Sequence, residues 1–194
     1  MSEKKYSTNY YEIIEKYKNF HINGTEKLSG SATFLGYSLV KWIHKIREII
    51  HSSNSKTLID YGCGKALLYN NKITFPNQTF KNIQEYWDVE GVFLYDPAVE
   101  KYSQQPVSKA DGIISTDVIE HIPEEDIIVF IDNLFKLANK FVFLVIATRP
   151  ASKYFDDGKN IHLCIKTEKE WMVIFSKFKE IYPNIDQYIF FNNN

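Results

Sequence analysis

Residues 57–66 read TLIDYGCGKA, and this stretch decides the fold. Its β-branched and apolar start, Thr57 to Ile59, predicts a short strand. The strand runs into a loop with two glycines, Gly62 and Gly64, which let the backbone turn tightly and approach a ligand where a β-carbon would collide. The stretch therefore predicts a strand that ends at a ligand-binding loop.

The rest of the chain alternates between strand patterns and helix patterns. Further strands are predicted at residues 92–95, 112–116, 141–147 and 187–191, and helices at residues 10–20, 38–50, 81–87, from 123 onward and 167–178. This alternation is typical of βαβ units and predicts an α/β fold with a mainly parallel sheet. Ligands bind outside the carboxyl ends of such strands. Three of these strands lead into loops that carry Asp60, Asp96 and Asp117.

The composition suits one soluble domain. A length of 194 residues with 44% apolar residues predicts a single domain, 1–194, with an N-terminal helical cap at 1–55 and a core at 56–194. The net charge of −1 gives no electrostatic reason to expect a nucleic-acid or acidic-membrane partner. The longest apolar run, Phe141 to Ala147, is too short to span a bilayer, and the polar start has no apolar core of a secretory signal. A cytoplasmic location is therefore expected.

The glycine loop favours a cationic ligand over a dinucleotide. A dinucleotide fingerprint needs a third glycine where this chain has Leu67. It also brings a pyrophosphate to the loop, and Asp60 would repel one. S-adenosylmethionine carries an ammonium group and a sulfonium and no phosphate, so it suits the acid better. The alternative is a strand-to-helix turn that needs its glycines for packing alone.

The same stretch supports a family resemblance. Residues 60–66, DYGCGKA, resemble the first motif of class I S-adenosylmethionine-dependent methyltransferases, which is acid-x-Gly-x-Gly followed two residues later by Gly or Ala. Asp96 follows the next strand, at the position where that family holds the two ribose hydroxyls; its other interpretation is a turn-forming Asp-Pro pair. Residues 111–123 resemble the fourth strand and following loop of the branch that acts largely on small molecules. The cofactor-binding residues that the resemblance implies are Asp60, Tyr61, Gly62, Cys63, Gly64, Asp96, Pro97, Thr116, Asp117 and Val118.

The chain also departs from the family pattern. Asp96 and Asp111 are too close in sequence for the helix and third strand that the family inserts there. The resemblance therefore implies a Rossmann-like three-layer sandwich with a reduced sheet that lacks the third strand. Residues 97–109 are expected to cover the adenine instead, and the C-terminal end has room for one strand where the family often has an antiparallel pair.

The resemblance implies methyl transfer from S-adenosylmethionine, with S-adenosylhomocysteine as product, to a small-molecule acceptor. Enzymes that methylate nucleic-acid bases carry an Asp/Asn-Pro-Pro-aromatic tetrapeptide or a Pro-Cys pair. This sequence has neither, so a nucleic-acid acceptor is not favoured. The acceptor pocket is expected from residues 20–37 and 149–162. His121 is the candidate general base, or else it ties down its loop; His162 and Tyr17 are further candidates.

Two alternatives stay open at this point. The chain could be a non-catalytic S-adenosylmethionine-binding module, a sensor or a partner subunit, since no base is identifiable. It could also be an oxidoreductase that uses a nucleotide cofactor on the same fold, against which Leu67 and Asp60 argue. The five histidines are scattered without ligand spacing, so no metal site is expected. The sequence does not specify an oligomeric state.

Overall fold

The computed structural model describes residues 5–25 and 28–193. In chain order, its helices and strands are α1 (Thr8–Asn23), α2 (Ile43–Ser52), β1 (Thr57–Tyr61), α3 (Leu67–Asn70), β2 (Ile73–Phe75), β3 (Gln78–Phe80), α4 (Ile83–Trp87), β4 (Gly91–Tyr95), β5 (Ala110–Thr116), α5 (Ile127–Leu137), β6 (Ala138–Ala147), α6 (Glu168–Ile181) and β7 (Asp186–Asn192).

Five of these strands form one parallel sheet in the order β4-β1-β5-β6-β7. The predicted α/β fold with a mainly parallel sheet is therefore confirmed. After β1 the chain adds β4 on one side and then crosses over to place β5 on the other. The strand order thus reverses between β1 and β5, and such a switch point opens a crevice at the carboxyl ends of the strands.

Alternate residues of β6 pack into two different apolar clusters, because successive side chains of a strand point to opposite faces of the sheet. Val142, Leu144 and Ile146 belong to a cluster that contains residues of α5 and α6. Phe141, Phe143 and Val145 belong to a cluster with residues of α2 and α4. Burial on both faces explains why residues 141–147 form a continuous apolar run.

Residues 96–109 contain no strand, as the short distance between Asp96 and Asp111 predicts. Between β4 and β5, residues 96–109 form a single 3₁₀ turn, Glu100–Tyr102, and no strand of the described residues pairs with the outer edge of β4. The predicted extra helix at 81–87 is α4. It is preceded by an antiparallel hairpin, β2–β3, which the sequence analysis did not predict.

Two N-terminal helices differ from their predicted bounds. The helix predicted at 38–50 starts as a 3₁₀ helix, Tyr37–Trp42, before α2. The Ser38 hydroxyl lies 2.9 Å from Thr116 Oγ1 and fixes this turn against the end of β5. The helix predicted at 10–20 begins earlier, because the Ser7 side chain accepts from the Tyr10 N–H and caps α1.

The two helices of the segment that was expected to cap the domain, 1–55, pack against different parts of the core. Ser7 donates from its backbone and its hydroxyl to the Asp126 carboxylate, at 2.8 and 2.6 Å, and so anchors α1 beside α5. By contrast, residues of α2 pack in the apolar cluster that also contains residues of α4 and Phe141, Phe143 and Val145 of β6. None of the helices in the described ranges is long and apolar enough to cross a membrane.

Candidate functional site

A cavity of about 370 Å³ lies at the carboxyl ends of β1, β4 and β5. Its size is within the usual range of small-molecule sites, roughly 300–1,000 Å³. Most of the residues that the sequence predicts for cofactor binding line it: Tyr61, Gly62, Gly64, Asp96, Pro97, Thr116, Asp117 and Val118. The structure thus brings together three loops that are separated by up to 57 residues in the sequence.

Two further walls come from the segments expected to hold the acceptor. Residues 20–37 contribute His21 and the run from Phe34 to Tyr37, and residues 149–162 contribute Arg149, Lys153 and His162 among others. Glu26 and Lys27 of the first segment lie outside the described residues. Of the expected adenine cover, 97–109, the residues that line the cavity are Pro97 and Ala98.

Helix α1 forms a wall that the sequence analysis missed. Tyr10, Ile13, Ile14 and Tyr17 all line the cavity. Their helical spacing was visible in the sequence, but an apolar helix face normally indicates core packing. Nothing in the pattern distinguishes a face that covers a cavity from a face that packs on a sheet.

Lys65 also contributes to the site, although the sequence offered no reason to select it. Its ammonium donates to the carbonyls of Gly30 and Thr33, at 2.6 and 2.8 Å. These bonds join the glycine loop to the segment that leads into Phe34. Lys65 therefore positions one wall of the cavity without lining it.

The glycines of the loop are required by close packing. Gly62 has φ of 90°, and a β-carbon there would lie 2.4 Å from Val118 Cγ2. Gly64 has φ of 56°, and a β-carbon there would lie 2.3 Å from the Phe34 carbonyl oxygen. Both positions therefore exclude any larger residue, for conformational and for steric reasons.

The backbone N–H groups of this loop are already in use. Gly62 and Cys63 donate to the Tyr95 carbonyl, and Gly64 donates to Asp96 Oδ2 at 2.9 Å. The next three N–H groups donate to other carbonyls, Lys65 to Phe34, Ala66 to Cys63 and Leu67 to Leu35. Dinucleotide sites need free N–H groups at the start of a helix, whereas α3 is a four-residue turn. The loop therefore has no amide left for a phosphate.

Asp96 lies at the end of β4 and faces the cavity. Its carboxylate accepts from the N–H groups of Gly64 and Ala98, both at 2.9 Å. Burial raises the pKa of this carboxyl, and the two backbone hydrogen bonds and the charge of Lys65 oppose that rise. Because each carboxylate oxygen has two lone pairs, Asp96 can still accept from two hydroxyl groups of a ligand.

Asp60 and Cys63 do not line the cavity. Asp60 is buried under the loop, where its Oδ2 accepts from the Tyr69 hydroxyl at 2.7 Å. Burial raises the pKa of Asp60 to about 7, which the bond from Tyr69 counteracts and the charge of Asp96 reinforces. Cys63 is also buried, and burial raises the pKa of its thiol.

Asp117 follows β5 in a left-handed conformation, with φ of 54°. Its Oδ1 is buried and has no hydrogen-bond partner within the described part of the chain. Burial raises its pKa, while a hydrogen bond with Asn192 and the charge of His162 lower it. A buried carboxylate oxygen without a partner is costly, so Asp117 offers an acceptor to any donor or cation that enters the cavity.

His121 joins α1 to the loop after β6. Its Nδ1 lies 2.6 Å from the Tyr17 hydroxyl and 3.0 Å from the Ile161 carbonyl oxygen. Burial lowers the pKa of His121 to about 3, and the charges of His162 and Lys153 act in the same direction. His121 is therefore neutral at pH 7 and a weak base, since an efficient general base has a pKa near the working pH.

A scan against protein-family models, a search of curated proteins and a search of solved structures each gave no match. The function must therefore be argued from the site itself.

Proposed function

We propose that the chain binds S-adenosylmethionine in this cavity and transfers its methyl group to a small-molecule acceptor. One observation carries the proposal: the cavity gathers Gly62, Asp96 and the run from Thr116 to Val118 at the ends of three adjacent parallel strands. These are the residues for which the sequence resembles class I methyltransferases. A Rossmann-like three-layer sandwich is part of the same proposal, and the two apolar clusters that share β6 support it.

The polar groups of the cavity fit such a cofactor better than a nucleotide. Asp96 has the acceptor capacity for two ribose hydroxyls, and the unpartnered Oδ1 of Asp117 suits a donor such as an ammonium group. The glycine loop, with its N–H groups occupied, suits a ligand without phosphate. This argues against the nucleotide-dependent oxidoreductase.

The cofactor supplies a methyl group on a sulfonium, which is already electrophilic, so the protein has little covalent chemistry to do. Its residues act mainly by position: holding two reactants in line supplies roughly 7–11 kcal/mol of a barrier. The aromatic side chains of Tyr10, Tyr17 and Phe34 line this space and give it apolar walls. Tyr17 also fixes the ring of His121.

The acceptor side of the cavity carries positive charge. Arg149 and Lys153 line it, and the Lys153 ammonium lies 4.7 Å from the centre of the Phe34 ring. Burial lowers the pKa of Lys153, so an anionic group would be favourable beside it. We therefore place the acceptor among small molecules with a carboxylate or another anionic group.

The weak basicity of His121 favours one alternative, a non-catalytic module that binds the cofactor as a sensor or partner subunit. Turnover distinguishes the two. A methyltransferase converts S-adenosylmethionine to S-adenosylhomocysteine when small anionic acceptors are supplied. A sensor binds S-adenosylmethionine but forms no S-adenosylhomocysteine.

The test of cofactor binding is calorimetric titration with S-adenosylhomocysteine of the unmodified chain and of Asp96→Asn. Loss of hydrogen bonds to a charged group costs about 1.5–3 kcal/mol, so we expect the dissociation constant to rise by about 10- to 100-fold. Asp111→Asn is the matched control, since Asp111 lies at the opposite end of the sheet and accepts from Lys56. Equal affinity of Asp96→Asn and the unmodified chain, with both folded, would reject the proposed ribose site.

A further inference from the structure

We propose that Glu120, His121 and His162 form a binding site for a late first-row divalent cation such as Zn²⁺, in the wall of the cavity. One potential ligand atom from each of these three side chains lies within 4.8 Å of the other two. The rings of His121 and His162 stand nearly perpendicular, with centres 4.7 Å apart. Tetrahedral zinc needs ligand atoms about 3.4 Å apart, so side-chain shifts of about 1 Å would complete the site.

The backbone brings the three residues together. The Glu120 carbonyl accepts from the N–H groups of Leu163 and Cys164, at 2.8 and 3.0 Å. These bonds align residues 161–164 with the turn after β5 and place His162 beside His121. The site is therefore built on a fixed backbone pairing and does not depend on a mobile loop.

In each histidine the protein engages Nδ1, so Nε2 is the nitrogen that can hold a metal ion. Nδ1 of His121 lies 3.0 Å from the Ile161 carbonyl oxygen, and Nδ1 of His162 lies 2.6 Å from the Arg149 carbonyl oxygen. An imidazole that donates from Nδ1 to a carbonyl keeps Nε2 as its free lone pair, and this pattern is the usual outer-shell support of histidine ligands. Both rings also line the cavity, so an ion can reach them from there.

Glu120 supplies an independent observation that points to a ligand. It is fully buried, and its Oε2 has no hydrogen-bond partner in residues 5–25 and 28–193, whereas Oε1 accepts from the Ala147 N–H at 3.1 Å. Asp117, three residues earlier, has a second buried oxygen without a hydrogen-bond partner among the described residues. Burying such oxygens is costly unless a charge compensates them. A divalent cation held by Glu120 would neutralise this carboxylate.

The donor set indicates the class of metal. Two imidazoles and one carboxylate suit zinc or iron(II) and leave open positions for a ligand. Calcium and magnesium prefer oxygen ligands and suit the set poorly. The sequence analysis expected no metal site because His162 is 41 residues from His121, and spacing along the chain does not show that a backbone pairing joins them.

The metal site has a consequence if the proposed function also holds. A metal-bound hydroxyl or thiol of the acceptor has a lowered pKa, so it would release its proton to solvent without a strong base. This role rests on the proposed function, but metal binding itself does not. The two are therefore tested separately.

The test is a titration of the tag-free full chain with Zn²⁺ against a chromophoric chelator, without S-adenosylmethionine. We expect one equivalent to bind, with at least tenfold weaker binding in His162→Gln and in Glu120→Gln. His162 is half-exposed, so His162→Gln should fold even if Glu120→Gln does not. The control is His51→Gln, which changes an exposed histidine outside the cluster and should bind like the unmodified chain.

Absence of stoichiometric Zn²⁺ binding, or equal binding by His162→Gln and the unmodified chain, would overturn the proposal. Co²⁺ gives a second reading, since nitrogen and oxygen ligands lack the charge-transfer band of a thiolate. A thiolate band would place the ion on Cys63 or Cys164 and would also overturn it. Failure of either kind leaves the cofactor titration unaffected.

Discussion

The side chain of Val118 explains why position 62 must be glycine. An added β-carbon at Gly62 would lie 2.4 Å from Val118 Cγ2, in a backbone conformation that already disfavours other residues. Gly158 has a similar φ of 80°, but no atom of the described residues lies within 4 Å of its added β-carbon. A substitution at Gly158 therefore measures conformational strain alone, whereas one at Gly62 measures strain together with steric overlap.

We expect Gly158→Ala to lower the free energy of unfolding by about 1 kcal/mol, from strain alone. Gly62→Ala should cost about 2 kcal/mol or more, because the overlap adds to the strain. Urea unfolding measures both. The double variant Gly62→Ala/Val118→Ala should recover part of the difference, and equal costs at the two glycines would contradict this account of the loop.

Asp60 gives a pH dependence with a defined sign. Its pKa in the folded chain is about 7, raised by burial from an ordinary value of 3.8. Between these values the folded chain holds a proton that the unfolded chain has lost. The stabilisation is complete below about pH 4 and is lost as the pH rises towards 7, at no more than about 1.4 kcal/mol per pH unit.

Asp60→Asn should remove that pH dependence, since the amide oxygen can still accept from Tyr69. Urea unfolding at pH 5 and at pH 7.5 gives the comparison. The free energy of unfolding of the unmodified chain should fall between these two pH values more than that of the variant. Parallel falls would mean that Asp60 keeps an ordinary pKa in the folded chain.

The sequence predicted the location of some site residues but not the partners of others. Asp96 and the glycines were predicted to meet at one site, and the structure brings them together, because strand ends of a parallel sheet share an edge. Asp60 was expected to face the ligand. It bonds to Tyr69 beneath the loop instead, and no periodicity of the sequence identifies that partner.

At the scale of elements, the capping box of α6 is the clearest local signal. The Thr167 side chain accepts from the Glu170 N–H, and the Glu170 carboxylate accepts from the Thr167 N–H at 2.8 Å. Such reciprocal bonds satisfy two donors that the helix start leaves free. The predicted helix at 167–178 starts at this point for that reason.

Thr167→Ala should lower the free energy of unfolding by about 1 kcal/mol, the usual cost of a lost N-cap. Thr167→Ser retains the hydroxyl and should cost clearly less. Urea unfolding of the two variants at neutral pH gives the comparison. Equal losses would show that the methyl group of Thr167, rather than its hydrogen bond, stabilises the start of α6.

Elements that depend on distant contacts were harder to predict. The 3₁₀ helix at Tyr37–Trp42 owes its place to the bond between Ser38 and Thr116, which are 78 residues apart. The hairpin β2–β3 has three-residue strands, and aromatic contacts of Phe75 and Phe80 with Tyr86 of α4 hold it. Strands of three residues are too short to show a recognisable alternation.

For the whole molecule, the strand order explains where the site lies. The strand order reverses between β1 and β5, so the loops after β1, β4 and β5 open onto one cavity. The alternation of strands and helices predicted the α/β class, and the short distance between Asp96 and Asp111 predicted that no strand forms between β4 and β5. The sequence predicted an N-terminal helical cap at 1–55 and named Tyr17, but it did not predict that a whole face of α1 lines the cavity, because the attachment of α1 depends on the bonds between Ser7 and Asp126.

The central claim is that the cavity at this switch point holds S-adenosylmethionine. The most direct measurement is a crystal structure of the full chain grown with saturating S-adenosylhomocysteine. The account predicts the ligand between the ends of β1, β4 and β5, with its ribose hydroxyls donating to Asp96. A ligand bound elsewhere on the chain, or no ligand in the cavity under these conditions, would contradict it.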